Sequence, residues 1–166
     1  TGADGSFQYE RGEVVRFRIG DTLLGEVVGQ EKVAPFDLAG SAVVTGGADI
    51  SAAIGNKDDP FQAVINIATL LQSLDQDGNP DNGIEISAEV AALFAGVNLD
   101  VSQHWKKFRN QYDLLYALEQ ANGHGLFSET HGVANPAAAV QHLYQSLEID
   151  AHIFFISQWE SKIKDS

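Results

Sequence analysis

Eleven residues in mid-chain, Asp75-Gln76-Asp77-Gly78-Asn79-Pro80-Asp81-Asn82-Gly83-Ile84-Glu85, carry four carboxylates and two asparagines on a segment bent by glycine and proline. Oxygen donors at that density suit a hard divalent cation, since Ca²⁺ takes about six to eight oxygens in a flexible cage. Counted from Asp75, the alternate positions are Asp75, Asp77, Asn79 and Asp81, all oxygen donors, and Glu85 adds a fifth. The spacing departs from an EF-hand. Pro80 stands where the sharp turn needs glycine, and Ile86 stands where a bidentate glutamate closes the cage. The expected ligands are therefore Asp75, Asp77, Asn79, Asp81 and Glu85 of an aspartate-rich Ca²⁺ loop of another kind. The same residue types are also the commonest turn formers, so a solvated turn accounts for the composition as well.

The other chemistry-bearing residues are sparser. His124 and His131 share a polar loop with Glu129, a His/Glu/His set that suits Zn²⁺ or Cu²⁺ by type but lacks helical or zinc-finger spacing. His104, His142 and His152 read as packed or hydrogen-bonded histidines. The chain shows no nucleophile elbow, phosphate-binding loop, dinucleotide fingerprint or His-Glu-x-x-His pair. The stripe Trp105, Phe108, Tyr112, Tyr116 lies at helical spacing and reads as core. Trp159 with Phe154 and Phe155 would be its partners in any apolar pocket between helices.

The elements that must position the acidic loop follow from periodicity. Ser6–Tyr9 reads as a short strand. Val15, Phe17 and Ile19 alternate with Arg16 and Arg18, the period-2 pattern of a half-buried strand, and Leu23 to Val28 forms a third. Charges on this hairpin read as a solvated sheet face. Residues 34–59 read as loop with a small-residue strand at Ala42–Val44. Asp58-Asp59-Pro60 opens a helix whose apolar residues Phe61, Val64, Ile65, Ala68 and Leu71 recur at helical spacing up to the acidic loop. Beyond it, Ser87 caps a helix over 88–94, Val101–Gln120 reads as one long helix, and Asn135-Pro136 starts a helix over 136–147. The segment from Ile149 to Ile163 reads as a helix, or as a strand and then a helix.

Composition bounds the function classes. The chain has 166 residues, 44% hydrophobic, and a formal net charge of −13 from 23 acidic against 10 basic residues. A field of that sign repels phosphate backbones and anionic lipid, so neither nucleic acid nor a membrane surface is an expected partner. No apolar run is long enough to span a bilayer. Cysteine and methionine are both absent, which excludes disulfides, thiolate metal sites and a cysteine nucleophile. A chain that starts at Thr1 without methionine is expected to follow removal of an upstream segment. The expected address is extracellular or at the cell surface.

Two stretches carry a resemblance. Thr1-Gly2-Ala3-Asp4-Gly5-Ser6-Phe7-Gln8-Tyr9 through Phe17 resembles the T-D-x-x-G-x-F-x-Y-x-x-G-x-x-V-x-F hairpin of exported bacterial surface proteins and lipoproteins. That pattern is shared loosely with carboxypeptidase-regulatory-like β-sandwiches. The stretch Asn66-Ile67-Ala68-Thr69-Leu70-Leu71-Gln72-Ser73-Leu74-Asp75 through Ile86 is similar to a segment that follows the hairpin in such proteins, and Ala139–Leu147 is similar to their closing helix. The resemblance implies a secreted module, often attached to larger surface proteins, and supplies no activity. It also implies a strand ahead of Thr1–Gly5. A sheet without that strand would expose an edge open to strand addition from a neighbouring subunit, as in a polymer or fibre.

The expected fold is α+β in one domain over 1–166: a small antiparallel sheet with sandwich-like hairpins, 1–57 being mainly β, packed with four to five helices in 58–166. The expected function is a non-enzymatic extracellular structural or adhesive module, stabilised by Ca²⁺ and self-associating. A binding protein for a small apolar ligand held between helices is the alternative, and a secreted hydrolase a second one.

Overall fold

The computed structural model describes residues 6–150 and Trp159. The expected turn at Thr1–Gly5, His152, and the tail reading around Phe154 and Phe155 lie outside the described residues. The fold class is α+β: a two-stranded antiparallel sheet precedes seven helices among the described residues. None of these helices is long and apolar enough to cross a membrane.

β1 (Val14–Ile19) pairs with β2 (Thr22–Val28) across the two-residue turn Gly20-Asp21, with Val14 opposite Val28, Arg16 opposite Glu26 and Ile19 opposite Thr22. Arg16 Nε donates to Glu26 Oε2 at 2.9 Å on the solvated face, as the alternation predicts. The turn is pinned to the distant segment 94–99. Asp21 N donates to the Phe94 carbonyl at 3.2 Å, and Thr22 Oγ1 donates to the Val97 carbonyl while accepting from Leu99 N. Gly20 has φ +55°, and a Cβ there would run into the backbone of Phe94, so this position requires glycine on both counts.

Ser6–Tyr9 is not a strand. Phe7 and Tyr9 lay their rings on the hairpin, Phe7 edge-on to Phe17 at 5.2 Å and Tyr9 over Gly29, so ring packing uses the alternation without a ladder. Residues 34–59 also depart from expectation. They form α1 (Pro35–Ala39) and α2 (Gly47–Gly55), and Ala42–Val44 is irregular. Pro35 at the first helical position, Asp37 Oδ2 accepting from Ala34 N at 2.7 Å, and Gly40 at φ +62° bracket α1. The N-terminal third is thus a hairpin followed by two helices, not mainly β.

α3 (Phe61–Ser73) is the axis of the molecule. Every residue from Phe61 to Leu70 is buried, the pattern of a helix surrounded by protein. Its apolar residues feed two cores: one with Phe36, Ile50, Trp105, Val140 and Tyr144, the other with Leu24, Val90, Phe94, Phe108 and Leu118. Four buried polar residues, Gln62, Asn66, Thr69 and Ser73, recur along it at intervals of four, three and four. Gln62 Nε2 contacts the carbonyls of Ala53, Ile54 and Asn56, and its Oε1 accepts from Trp105 N at 2.9 Å. Asn66 Nδ2 donates to the carbonyls of Val101 and Gln103. Backbone that would otherwise be buried without partners is satisfied by this stripe.

That stripe also explains why 101–120 is not one helix. With the Val101 and Gln103 carbonyls turned to Asn66, helix starts only at α5 (Trp105–Phe108), where His104 Nδ1 accepts from Lys106 N. A break at 109–111 precedes α6 (Tyr112–Gly123). Trp105 and Phe108 are core as expected. Tyr112 and Tyr116 are instead exposed, at 74% and 48%, and stack on each other in solvent. After the acidic loop comes α4 (Ala88–Ala92), capped by Ser87. α7 (Pro136–Ser146) begins where Asn135 Oδ1 accepts from Ala137 N and Ala138 N.

Candidate cation-binding loop

The last polar residue of the α3 stripe, Ser73, leads directly into the loop. Asp75 follows Leu74 into the interior and is fully buried, an uncommon place for a carboxylate. Its Oδ1 accepts from Glu85 N at 2.9 Å, and Gln76 N donates to the Glu85 carbonyl at 2.8 Å, so the two ends of the loop are tied at its base. No protein group among the described residues donates to Asp75 Oδ2, which is buried. Burial pushes the Asp75 pKa above the usual carboxylate range against the pull of Glu85 N–H, and the adjacent Asp77 carboxylate pushes it further.

Asp77 sits in solvent and behaves in the opposite sense. Asn82 Nδ2 donates to its Oδ2 at 2.7 Å and Asn79 N to its Oδ1 at 2.9 Å, and these bonds hold its pKa below the ordinary value. Asn79 Oδ1 accepts from Asp81 N, capping a 3₁₀ turn at Pro80–Asn82. Gly78 at φ +67° and Gly83 at φ +97° supply the left-handed backbone the bend requires. Asp75 and Asp77 are thus neighbouring carboxylates in opposite settings, the first buried with one oxygen unpartnered and the second held in solvent by two hydrogen bonds.

The remaining expected ligands stand apart. Asp81 Oδ1 lies 3.6 Å from His142 Nε2 on α7, and Glu85 contributes its backbone to the loop base while its side chain is exposed. Among the described residues no three His, Asp or Glu side chains gather into a ready metal cluster. Full coordination of an ion therefore requires the exposed carboxylates and the loop's carbonyls to turn inward around the Asp75–Asp77 pair.

His124, Glu129 and His131 do not form a site. His124 is exposed beyond α6, while His131 sets both ring nitrogens against backbone carbonyls, Nδ1 3.0 Å from that of Glu129 and Nε2 3.0 Å from that of Ser73, and a neutral ring can donate to one of the two. His131 is nonetheless part of the loop's surroundings. Asn122 brackets its backbone on both sides, accepting from His131 N and donating to its carbonyl, and Ser73 Oγ accepts from Ala134 N. Ser73 and Asn122 carry no motif of their own in the sequence; the four-three-four interval of polar residues along α3 is the signal that marks Ser73.

Two open clefts flank the molecule. One of about 540 Å³ runs between the loop and α7, lined by Pro80, Ile84, His142 and Gln145, and one of about 630 Å³ runs between the hairpin and α1. Trp159, a partner of Trp105 in the alternative reading of an apolar pocket between helices, packs edge-on against it at 5.5 Å. The chain matches no protein-family model, and neither curated proteins nor solved structures give a match to it.

Proposed function

We propose that this chain is a non-enzymatic extracellular structural or adhesive module whose 75–85 loop takes Ca²⁺ as a conformational staple. The observation that supports this reading most directly is Asp75 Oδ2, a buried carboxylate oxygen without a donor, beside a second carboxylate. An uncompensated buried charge is expensive, and two groups relieve it: a proton shared with Asp77, or a cation. The Asp/Asn oxygens that follow along the loop favour a hard divalent cation at neutral pH. Asp75, Asp77, Asn79, Asp81 and Glu85 would hold it, with Asp75 and Asp77 at its centre. Few preassembled ligands imply weak binding, with Kd on the order of 10⁻⁴–10⁻³ M, the regime of extracellular calcium modules.

Self-association belongs to the same reading. The sheet has two strands among the described residues, and the cross-strand pair Val14 and Val28 at its open end is 54% and 58% exposed. A strand from a second copy laid along this hairpin would cover that edge. Thermal unfolding in calcium against chelator tests the staple, and a Tm that does not rise with calcium rejects it. Light scattering at high protein concentration tests the assembly, and a strictly monomeric species rejects it.

A further inference from the structure

The loop does not stand alone on the surface. The segment 126–134 contains no helix or strand, and three of its hydrogen bonds run to Ser73 and Gln76, on either side of Asp75. Ser128 N donates to the carbonyl of Gln76, which stands between Asp75 and Asp77, at 2.9 Å. His131 Nε2 meets the Ser73 carbonyl, Ala134 N donates to Ser73 Oγ at 2.8 Å, and the His131 ring lies against Gly78. Phe127 is buried beside the His131 ring, at 4.1 Å between centroids. The contacts to Gln76 and Gly78 depend on the backbone path that buries Asp75, and those to Ser73 on the helix end just before it.

We propose that cation occupancy at Asp75 and Asp77 controls the docking of segment 126–134, so that the ion latches two loops with one site. This inference rests on the calcium reading and adds to it a regulated surface. A charged Asp75 without a cation favours paths in which its carboxylate turns towards water. Such a path moves the Ser73 and Gln76 carbonyls away from His131 and Ser128. With the ion bound, Asp75 stays inside, those acceptors are held in place, and 126–134 closes over them. A long loop without secondary structure is the part of a fold most readily opened, and its docked state is correspondingly easy to bias.

Coupling between two sites is reciprocal in free energy, which makes the inference testable from both ends. Hydrogen exchange read by mass spectrometry on the intact chain, in calcium and in chelator, is the first experiment, with β1–β2 as internal reference. At ten times Kd, calcium is expected to slow exchange over 126–134 about tenfold, with a smaller effect on the hairpin. Asp75→Asn, or Asp77→Asn if the former does not fold, is expected to abolish the difference. His131→Ala, which touches no proposed ligand, is expected to weaken calcium binding about fivefold by calorimetry. A calcium-dependent Tm with unchanged exchange over 126–134, or with equal slowing everywhere, overturns the coupling and leaves the ion site standing. No calcium effect on either Tm or exchange overturns both. Unaltered calcium affinity in His131→Ala overturns the coupling by itself.

Discussion

Replacing Asp75 by asparagine is the perturbation that separates a calcium staple from an acidic turn. The Asn Oδ1 keeps the acceptor for Glu85 N, and its amide places a donor where Asp75 Oδ2 has none, with the Asp77 carboxylate adjacent. Relieving one buried unsatisfied acceptor contributes about 1–3 kcal/mol. For a domain of this size each kcal/mol moves Tm by about 2–4 °C. In chelator at pH 7, Asp75→Asn is therefore expected to melt roughly 2–12 °C above the wild type. Calcium narrows or reverses that gap. At a hundred times Kd the wild type gains about 2.7 kcal/mol and the variant gains nothing. The pH dependence has a fixed sign. Asp75 has a folded pKa raised by burial, so its favourable contribution is present below the unfolded value near 3.8 and is lost as pH rises through the folded value. The ion-free wild type should thus lose stability relative to the variant across that window. Thermal melts by circular dichroism, with and without calcium at several pH values, read all of this. A variant that melts below the wild type in chelator, or that retains the calcium shift, refutes the reasoning.

Other expectations concern the scaffold that holds the loop. Gln62→Leu leaves Trp105 N and the carbonyls at the end of α2 without their partner, and should cost about 2–4 kcal/mol in urea unfolding. Gly20→Ala forces a Cβ into the Phe94 backbone at a left-handed φ, and should destabilise by more than about 1 kcal/mol in the same assay. His104 has its pKa held down by burial, with Lys106 adding to the effect, and its neutral Nδ1 caps α5. Its contribution is complete above the unfolded value near 6.5 and declines as pH falls below it, so denaturation midpoints should drop between neutral pH and pH 5 by an amount that His104→Asn reduces.

The parts of the fold that were legible in sequence are those decided within a few residues of themselves. The β1–β2 alternation, the Asn135-Pro136 cap of α7, the Ser87 cap of α4 and the long apolar run of α3 each carry their own signal, because pleat, cap and helical face act locally. The elements that were misread are those a distant group decides. The stretch 101–120 has helical periodicity throughout, yet Asn66, far away on α3, takes two of its carbonyls and sets where the helix begins. Residues 47–55 are small and weakly patterned. They form α2 where Ile50, Ala53 and Ile54 find the face of α3 and Gln62 receives its carbonyls.

The acidic loop divides the same way. Its residue types, its bend and its self-bonding asparagines were written in order along the chain, since each contact spans only a few positions. Which carboxylate would be buried, which would meet His142, and which loop would close over the bend were decided only when α3, α7 and 126–134 came together. Burial is a property of neighbours brought from elsewhere in the chain. A row of aspartates therefore announces a cluster of oxygens, and the packed interior alone makes one of them, Asp75, the buried carboxylate.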